Sequence, residues 1–261
     1  MLPVHRTRLS VFNYDEIPPG YYYKAMVNGS PTQKFWHRKK FEEVSARIGE
    51  NDRVLDIGCG PGSFLAILGD LKKDVRATGV DIASSQIQFA IENIASRFSG
   101  DRINFVQFEG RDEGGVELPF EAESFDKITM IEVIEHIHPY IALKTLEEAK
   151  RVLKKDGRII LTTPNYLSHW LILEWLLEKR SPVKYHDQHI SKFTPNSITK
   201  FLEGAGLEIM KFNTIFVLAP FLAGLNQSLA SRLHGMESKS RLNLGSILIA
   251  ETRPLDLKLL N

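Results

Sequence analysis

The chain has 261 residues, a formal net charge of +1 and a hydrophobic content of 43%. That is enough for one large α/β domain with additions, and too apolar for a disordered chain. Its mixed charges form no long basic stripe of the kind nucleic acid requires, and its only cysteine, Cys59, cannot form an internal disulfide, which fits a cytoplasmic protein.

Residues 1–10 lack the apolar segment of a secretory signal, and no run of about 20 apolar residues predicts a transmembrane helix. Residues 1–31 carry Pro3, Pro18, Pro19, Gly20 and Pro31 around Tyr21, Tyr22 and Tyr23. They read as an irregular arm with one helical turn. Phe35, Trp36, Phe41, Val44 and Ile48 have helical spacing and predict a helix over 32–48 that packs on a sheet or covers a cofactor. Strands and helices then alternate: strand 53–57, helix 63–70, strand 75–80, helix 84–97, strands 103–108 and 125–131, helix 139–153, strand 157–163. Such alternation predicts a parallel sheet covered on both faces. Lys155-Asp156-Gly157 reads as a turn before the last of these strands, and Pro164 ends it. A helix over 195–204, a strand over 207–213 and a final strand over 245–251 complete the pattern. Two insertions interrupt it, at 166–190 (apolar and helical over 166–185) and at 214–244. The organisation expected is an arm and helix over 1–48, then one domain over 49–261.

The most informative stretch is Val54-Leu55-Asp56-Ile57-Gly58-Cys59-Gly60-Pro61-Gly62. A buried strand runs into a turn whose glycines let backbone approach a ligand. Ser63 is the expected N-cap of the following helix. Asp81, about 20 residues on at the end of the next strand, suits the two hydroxyls of a ribose. Asp56 lies two residues before the first glycine, where a carboxylate would repel a pyrophosphate.

From Arg53 to Leu207 this pattern resembles the class I S-adenosylmethionine (SAM)-dependent methyltransferases, whose first motif is (Asp/Glu)-x-Gly-x-Gly-x-Gly. The resemblance implies a seven-stranded, doubly wound, Rossmann-like α/β sheet with an antiparallel last strand, here with helical lid insertions. It implies SAM or S-adenosylhomocysteine held by Asp56, Gly58, Cys59 and Gly60, with Asp81 on the ribose and Ile82 on one face of the adenine. An acidic residue after the third strand would take the adenine amino group. Glu109, followed by Gly110, is the first candidate and Asp112 the second. Ile131 and Glu132 would close the same cleft.

The segment after the fourth strand excludes some chemistries. The (Asn/Asp/Ser)-Pro-Pro-aromatic motif of base amino methyltransferases is absent. Cys59 lies within the glycine loop, away from the place of a C5-pyrimidine nucleophile. Glu132-x-x-Glu135-His136, with His189 downstream, resembles ubiquinone-biosynthesis O-methyltransferases and small-RNA 2′-O-methyltransferases. There the corresponding four residues bind a divalent cation that activates acceptor hydroxyls. In metal-free relatives a histidine orients the acceptor or acts as general base, so Glu135, His136 and His189 are catalytic candidates under either reading. His186 is the alternate to His189, whereas His5, His37, His138 and His169 read as surface or packing residues, with Trp36 and His37 equally placed to border the cofactor or acceptor. The spacing of three and four residues would place Glu132, Glu135 and His136 on one face of a helical turn.

The expected function is methyl transfer, at oxygen, to a partly hydrophobic small molecule, with no nucleic-acid partner. A sugar or glycan O-methyltransferase, an RNA 2′-O-methyltransferase and a non-catalytic SAM-binding regulator are the alternatives. The apolar segments 166–185 and 214–229 are expected to form a lid over the acceptor, a second small core, or a homodimer interface, with contact to a membrane surface as a further variant disfavoured by the lack of a strongly basic face.

Overall fold

The computed structural model of the protein describes residues 17–108, 116–170, 189–240 and 243–255. Among these, seven strands form one sheet: β1 (Arg53–Ile57), β2 (Arg76–Asp81), β3 (Ile103–Gln107), β4 (Phe125–Ile131), β5 (Leu153–Pro164), β6 (Leu207–Ile215) and β7 (Ile247–Pro254). Their order is β3-β2-β1-β4-β5-β7-β6. β1 to β5 run parallel, and β7 is antiparallel to both β5 and β6. The chain winds outward in both directions from the β1–β4 pair, so a crevice opens over the carboxyl ends of these two strands.

The helices are α1 (Tyr21–Asn28), α2 (Pro31–Ser45), α3 (Ser63–Leu71), α4 (Ser84–Asn93), α5 (Pro139–Val152), α6 (Pro195–Gly204), α7 (Ala219–Leu222) and α8 (Gln227–Glu237). On one face, Phe41 and Val44 of α2, Leu65 and Leu68 of α3, Ala90 of α4 and Ala230 of α8 pack into one core. On the other face, Leu146 and Ala149 of α5 and Ile198 and Leu202 of α6 pack on Leu55, Ile128 and Leu161. Local signals set the helix starts. Ser30 and Gln33 form a reciprocal capping box with Pro31 at the first position of α2, and Thr194, Ser197 and Pro195 do the same for α6.

Several boundaries differ from the sequence expectation. The arm holds a two-turn helix, α1, and just before it the buried Gln86 amide accepts from the Gly20 backbone N–H and donates to the Ile17 carbonyl. Ser63 is the first residue of α3; the cap position is Gly62, in the left-handed region at φ 76°. α4 ends at Asn93 and a 3₁₀ turn follows at Ala95–Arg97. The Lys155-Asp156-Gly157 turn is a bulge within a longer β5: pairing with β4 jumps from Phe125–Leu153 to Lys127–Arg158. In the second insertion, Thr214 and Ile215 extend β6, and Phe216 is buried against Trp36, with ring centroids 4.5 Å apart. Leu218 and Leu225 are instead exposed, at 59% and 87%, so the apolar run 214–225 splits between core and surface. Most of the apolar segment 166–185 lies outside the described residues. Among the described residues, no helix is long and apolar enough to cross a membrane.

Candidate active site

The glycine loop closes on the end of β2. Gly58 and Cys59 donate their backbone N–H groups to the Val80 carbonyl at 2.8 and 3.0 Å. Asp81 accepts from the backbone of Gly60 at 2.8 Å and from that of Ala83 at 2.9 Å, one through each carboxylate oxygen. Gly58 and Gly60 sit at φ 74° and 51°, and a Cβ at Gly58 would come within 2.6 Å of Val133, whereas one at Gly60 would meet nothing within 4 Å. The Gly60 position therefore faces open space, where a ligand can meet bare backbone. Asp56 is 2% exposed and accepts from the Thr129 hydroxyl at 2.6 Å. Burial pushes its carboxyl up to about 7, against the Thr129 bond and reinforced by Asp81. Burial, with Asp81 and Asp56 nearby, also raises the Cys59 thiol well above its ordinary value. Cys59 is thus a neutral, buried member of the loop.

Two chambers meet at this loop. The first, of about 930 Å³ including its open mouth, is walled by the glycine loop, Ile131, α2 and the loop after β4. The second, of about 660 Å³, is lined mainly by apolar side chains, among them Ile82, Phe108, Val133 and Ile137. Gly58, Asp81, Glu132 and His136 border both. Glu109, Gly110 and Asp112, like His5 and His186, lie outside the described residues.

Glu135, His136 and His189 converge. One nitrogen or oxygen from each lies within 4.8 Å of the others, and the two imidazole centroids are 4.8 Å apart. Glu132, the fourth residue of the expected set, stands outside this group. The chain after β4 is an irregular turn, not a helical one, because Glu132 takes a left-handed φ of 54°. Its carboxylate turns to Lys40 of α2, with which it forms an ion pair. Burial favours the neutral acid at Glu132, but the Lys40 ammonium outweighs it and holds the carboxyl below its ordinary value. Lys40 is 2% exposed. His37, one turn before it, lines the first chamber and is pushed down to about 3 by burial and Lys40, against the pull of Glu132, so it is neutral.

Glu135 is fully buried. One carboxylate oxygen accepts from Thr163 at 3.0 Å, and the other has no hydrogen-bond partner among the described residues. Burial, opposed by His189 and reinforced by Glu132, pushes its carboxyl up to about 8. Its backbone carbonyl accepts from Ile190 and Ser191 at 2.7 and 3.0 Å, which ties the segment bearing His189 to the loop bearing Glu135. The Nδ1 of His189 is 2.6 Å from the Tyr166 hydroxyl. His138 caps α5 and His169 bonds Ser246, which are structural roles.

The partnerless Glu135 oxygen and two imidazoles make a donor set of three. Such a set suits a borderline divalent cation such as Mn²⁺, Fe²⁺ or Zn²⁺ better than Mg²⁺. The same set suits general-base chemistry without a metal. Sequence reasoning missed Lys40, Thr129, Thr163 and Tyr166 and left His37 open between helix packing and a border of the cofactor or acceptor. The signal for the α2 pair was present: His37, Lys40, Phe41 and Val44 fall at i, i+3, i+4 and i+7, a single helix face.

The profile of a family described as "Methyltransferase domain" matches residues 32–211. The chain is 34% identical to the erythromycin 3''-O-methyltransferase of Saccharopolyspora erythraea over 113 residues, covering 43% of this chain and 35% of that enzyme. It is 28% identical to an uncharacterised protein of Methanocaldococcus jannaschii over 207 residues, covering 78% and 70%. Across several other curated relatives the match spans about half of their length. A solved SAM-dependent methyltransferase from Thermotoga maritima superposes with a TM-score of 0.63 at 18% identity, covering 92% of this chain and 97% of that one. Its likeness concerns the fold, and the fold is the doubly wound sheet with an antiparallel β7. The chain belongs to the methyltransferase-domain family, within the class I SAM-dependent methyltransferases.

Proposed function

We propose that the protein transfers the methyl group of SAM to a hydroxyl of a partly hydrophobic small molecule. The observation that carries this reading is the opening of the Glu135–His136–His189 cluster onto the same chamber as the glycine loop. In this reading the apolar second chamber receives the adenine, beside Ile82 and Phe108, and Asp81 accepts from the ribose hydroxyls. The bare backbone at Gly60 lets the methionine portion approach, and Lys40 supplies the cation for its carboxylate. Helix α2 covers the cofactor through His37, Lys40 and Phe41.

The donor supplies a methyl group on a sulfonium, an electrophile that needs no further activation. The protein's own work is alignment, exclusion of water and management of one proton. His136 and His189 accept or steer the proton of the acceptor hydroxyl. Glu135, held neutral near pH 7 by its burial, gains a reason to ionise once an imidazolium forms beside it. Trp170 and Trp36, with ring centroids 5.9 Å apart, offer an apolar wall to the rest of the acceptor. Where a divalent cation is bound, Glu135, His136 and His189 hold it, and it lowers the hydroxyl pKa. The similarity to the erythromycin 3''-O-methyltransferase supports transfer to oxygen. The near-neutral charge speaks against an RNA acceptor.

The test is consumption of labelled SAM over a panel of phenols, quinone precursors, sugars and amines, with and without chelator. Labelling of a hydroxylated member is expected. Labelling of an amine alone would replace the oxygen assignment. Tight binding of S-adenosylhomocysteine with no transfer to any member would favour the regulator reading.

A further inference from the structure

Tyr166, the first residue of the apolar insertion, makes a short polar contact, 2.6 Å, to a catalytic candidate. It follows Pro164 at the end of β5 and is held from two sides. Its neighbour Asn165 is fully buried, and the Asn165 side chain donates to the carbonyls of Asn243 and Gly245 and accepts from the backbone of Leu167. The Tyr166 backbone N–H donates to the Phe193 carbonyl at 2.8 Å, beyond His189 in the chain. The phenol is therefore fixed relative to both β5 and the segment that carries His189. Its hydroxyl lies 2.6 Å from His189 Nδ1, with the two rings at 87°. The rings of Trp170 and His136 flank the same imidazole, at centroid distances of 6.3 and 4.8 Å. A ring nitrogen of His189 also lies within 4.8 Å of a ligand atom of Glu135 and of His136, in the lining of the first chamber.

We propose that Tyr166 is a positioning residue that selects the tautomer of His189: its hydroxyl oxygen accepts the Nδ1–H, so that Nε2 presents a lone pair to the cleft. The inference rests on the methyl-transfer reading, because a cleft that must receive a hydroxyl proton, or hold a cation, needs an acceptor nitrogen there. A free imidazole favours the opposite tautomer, with the proton on Nε2, so the contact has a measurable consequence. It costs no ring packing to remove, since Tyr166→Phe keeps the aromatic face.

The experiment is ¹⁵N-edited histidine side-chain spectroscopy of the full chain saturated with S-adenosylhomocysteine, with His189 assigned by His189→Gln. The wild type is expected to show His189 protonated at Nδ1 only. Tyr166→Phe is expected to move the proton to Nε2, wholly or in part, with no change in melting temperature beyond a few degrees. Once an acceptor is known, Tyr166→Phe should lower kcat about tenfold and leave KM for SAM unchanged. A wild-type His189 protonated at Nε2, or a tautomer identical in Tyr166→Phe, overturns the proposal. The spectroscopy needs no acceptor, so failure of the tautomer assignment and failure of the methyl-transfer reading are told apart. Loss of S-adenosylhomocysteine binding in the wild type would strike the latter alone.

Discussion

The Lys40–Glu132 pair joins helix α2 to the loop after β4, and its removal has a worked consequence. Lys40 is 2% exposed and Glu132 24%. Removing one partner of a buried pair costs roughly 3–5 kcal/mol, mostly because the other charge stays buried and unpaired. Lys40→Met leaves a carboxylate with some access to water, so its cost falls at the lower end, about 3 kcal/mol. Glu132→Gln leaves an ammonium with almost none and falls at the upper end, about 5 kcal/mol. For a chain of this size 1 kcal/mol corresponds to roughly 2–4 °C in melting temperature. Lys40→Met should therefore melt about 6–12 °C low, and Glu132→Gln lower still. The double variant leaves no orphaned charge and should recover most of the loss, giving a coupling energy of about 2 kcal/mol or more in a double-mutant cycle. Thermal and urea denaturation of the four proteins measure it. Additive losses, with the double variant the least stable, would refute the claim that charge pairing rather than packing holds α2 on the site.

The remaining expectations concern the ligand and pH. Asp81→Ala removes the acceptor for Gly60 and Ala83 as well as for a ribose, and S-adenosylhomocysteine affinity by calorimetry should fall at least tenfold; unchanged affinity would mean the cofactor lies elsewhere. Lys40→Met should weaken S-adenosylhomocysteine about tenfold or more while leaving methylthioadenosine, which has no carboxylate, unaffected; an equal loss for both would make Lys40 purely structural. Gly60→Ala should fold at a cost of about 1–2 kcal/mol for its left-handed φ, since its Cβ meets nothing, and should bind the cofactor poorly, whereas Gly58→Ala carries the same strain and adds contact with Val133. Glu135 has a folded-state pKa raised from 4.5 to about 8, so the folded protein binds its proton more tightly than the unfolded chain does. Its contribution to stability is therefore full below about pH 4.5 and declines as pH rises to about 8, by at most ~1.4 kcal/mol per pH unit. Glu135→Gln should remove that slope in denaturation followed from pH 5 to 8; a slope unchanged in the variant would show that Glu135 is ionised across the range.

The sheet was legible because its strands are short apolar runs between helical periods. The glycine loop was legible because a close backbone approach requires glycine at fixed places. Both are local properties of the chain. The reciprocity of Gly60 and Asp81, 21 residues apart, follows from the parallel register of β1 and β2. The tetrad was half legible. Glu135, His136 and His189 meet as their motif suggested, but Glu132 leaves them because a left-handed residue breaks the expected helical turn and a distant lysine competes for its carboxylate. The partnership is not local: Lys40 precedes Glu132 by 92 positions. Tyr166 was hidden for the same reason, since its partner lies across an 18-residue segment outside the described residues. Ser63 failed as a cap because Gly62, with its left-handed φ, already turns the chain into the helix.

The central claim is that one cleft holds SAM at the glycine loop and an acceptor hydroxyl at Glu135, His136 and His189. Its most direct test measures two quantities on three proteins: wild type, Glu135→Gln and His189→Gln. One is S-adenosylhomocysteine affinity by calorimetry; the other is transfer of label from SAM to the hydroxylated acceptor found in the screen. The account predicts unchanged affinity within about threefold and transfer reduced at least a hundredfold in both variants, the scale of a lost general base. Transfer at the wild-type rate in both variants would contradict it.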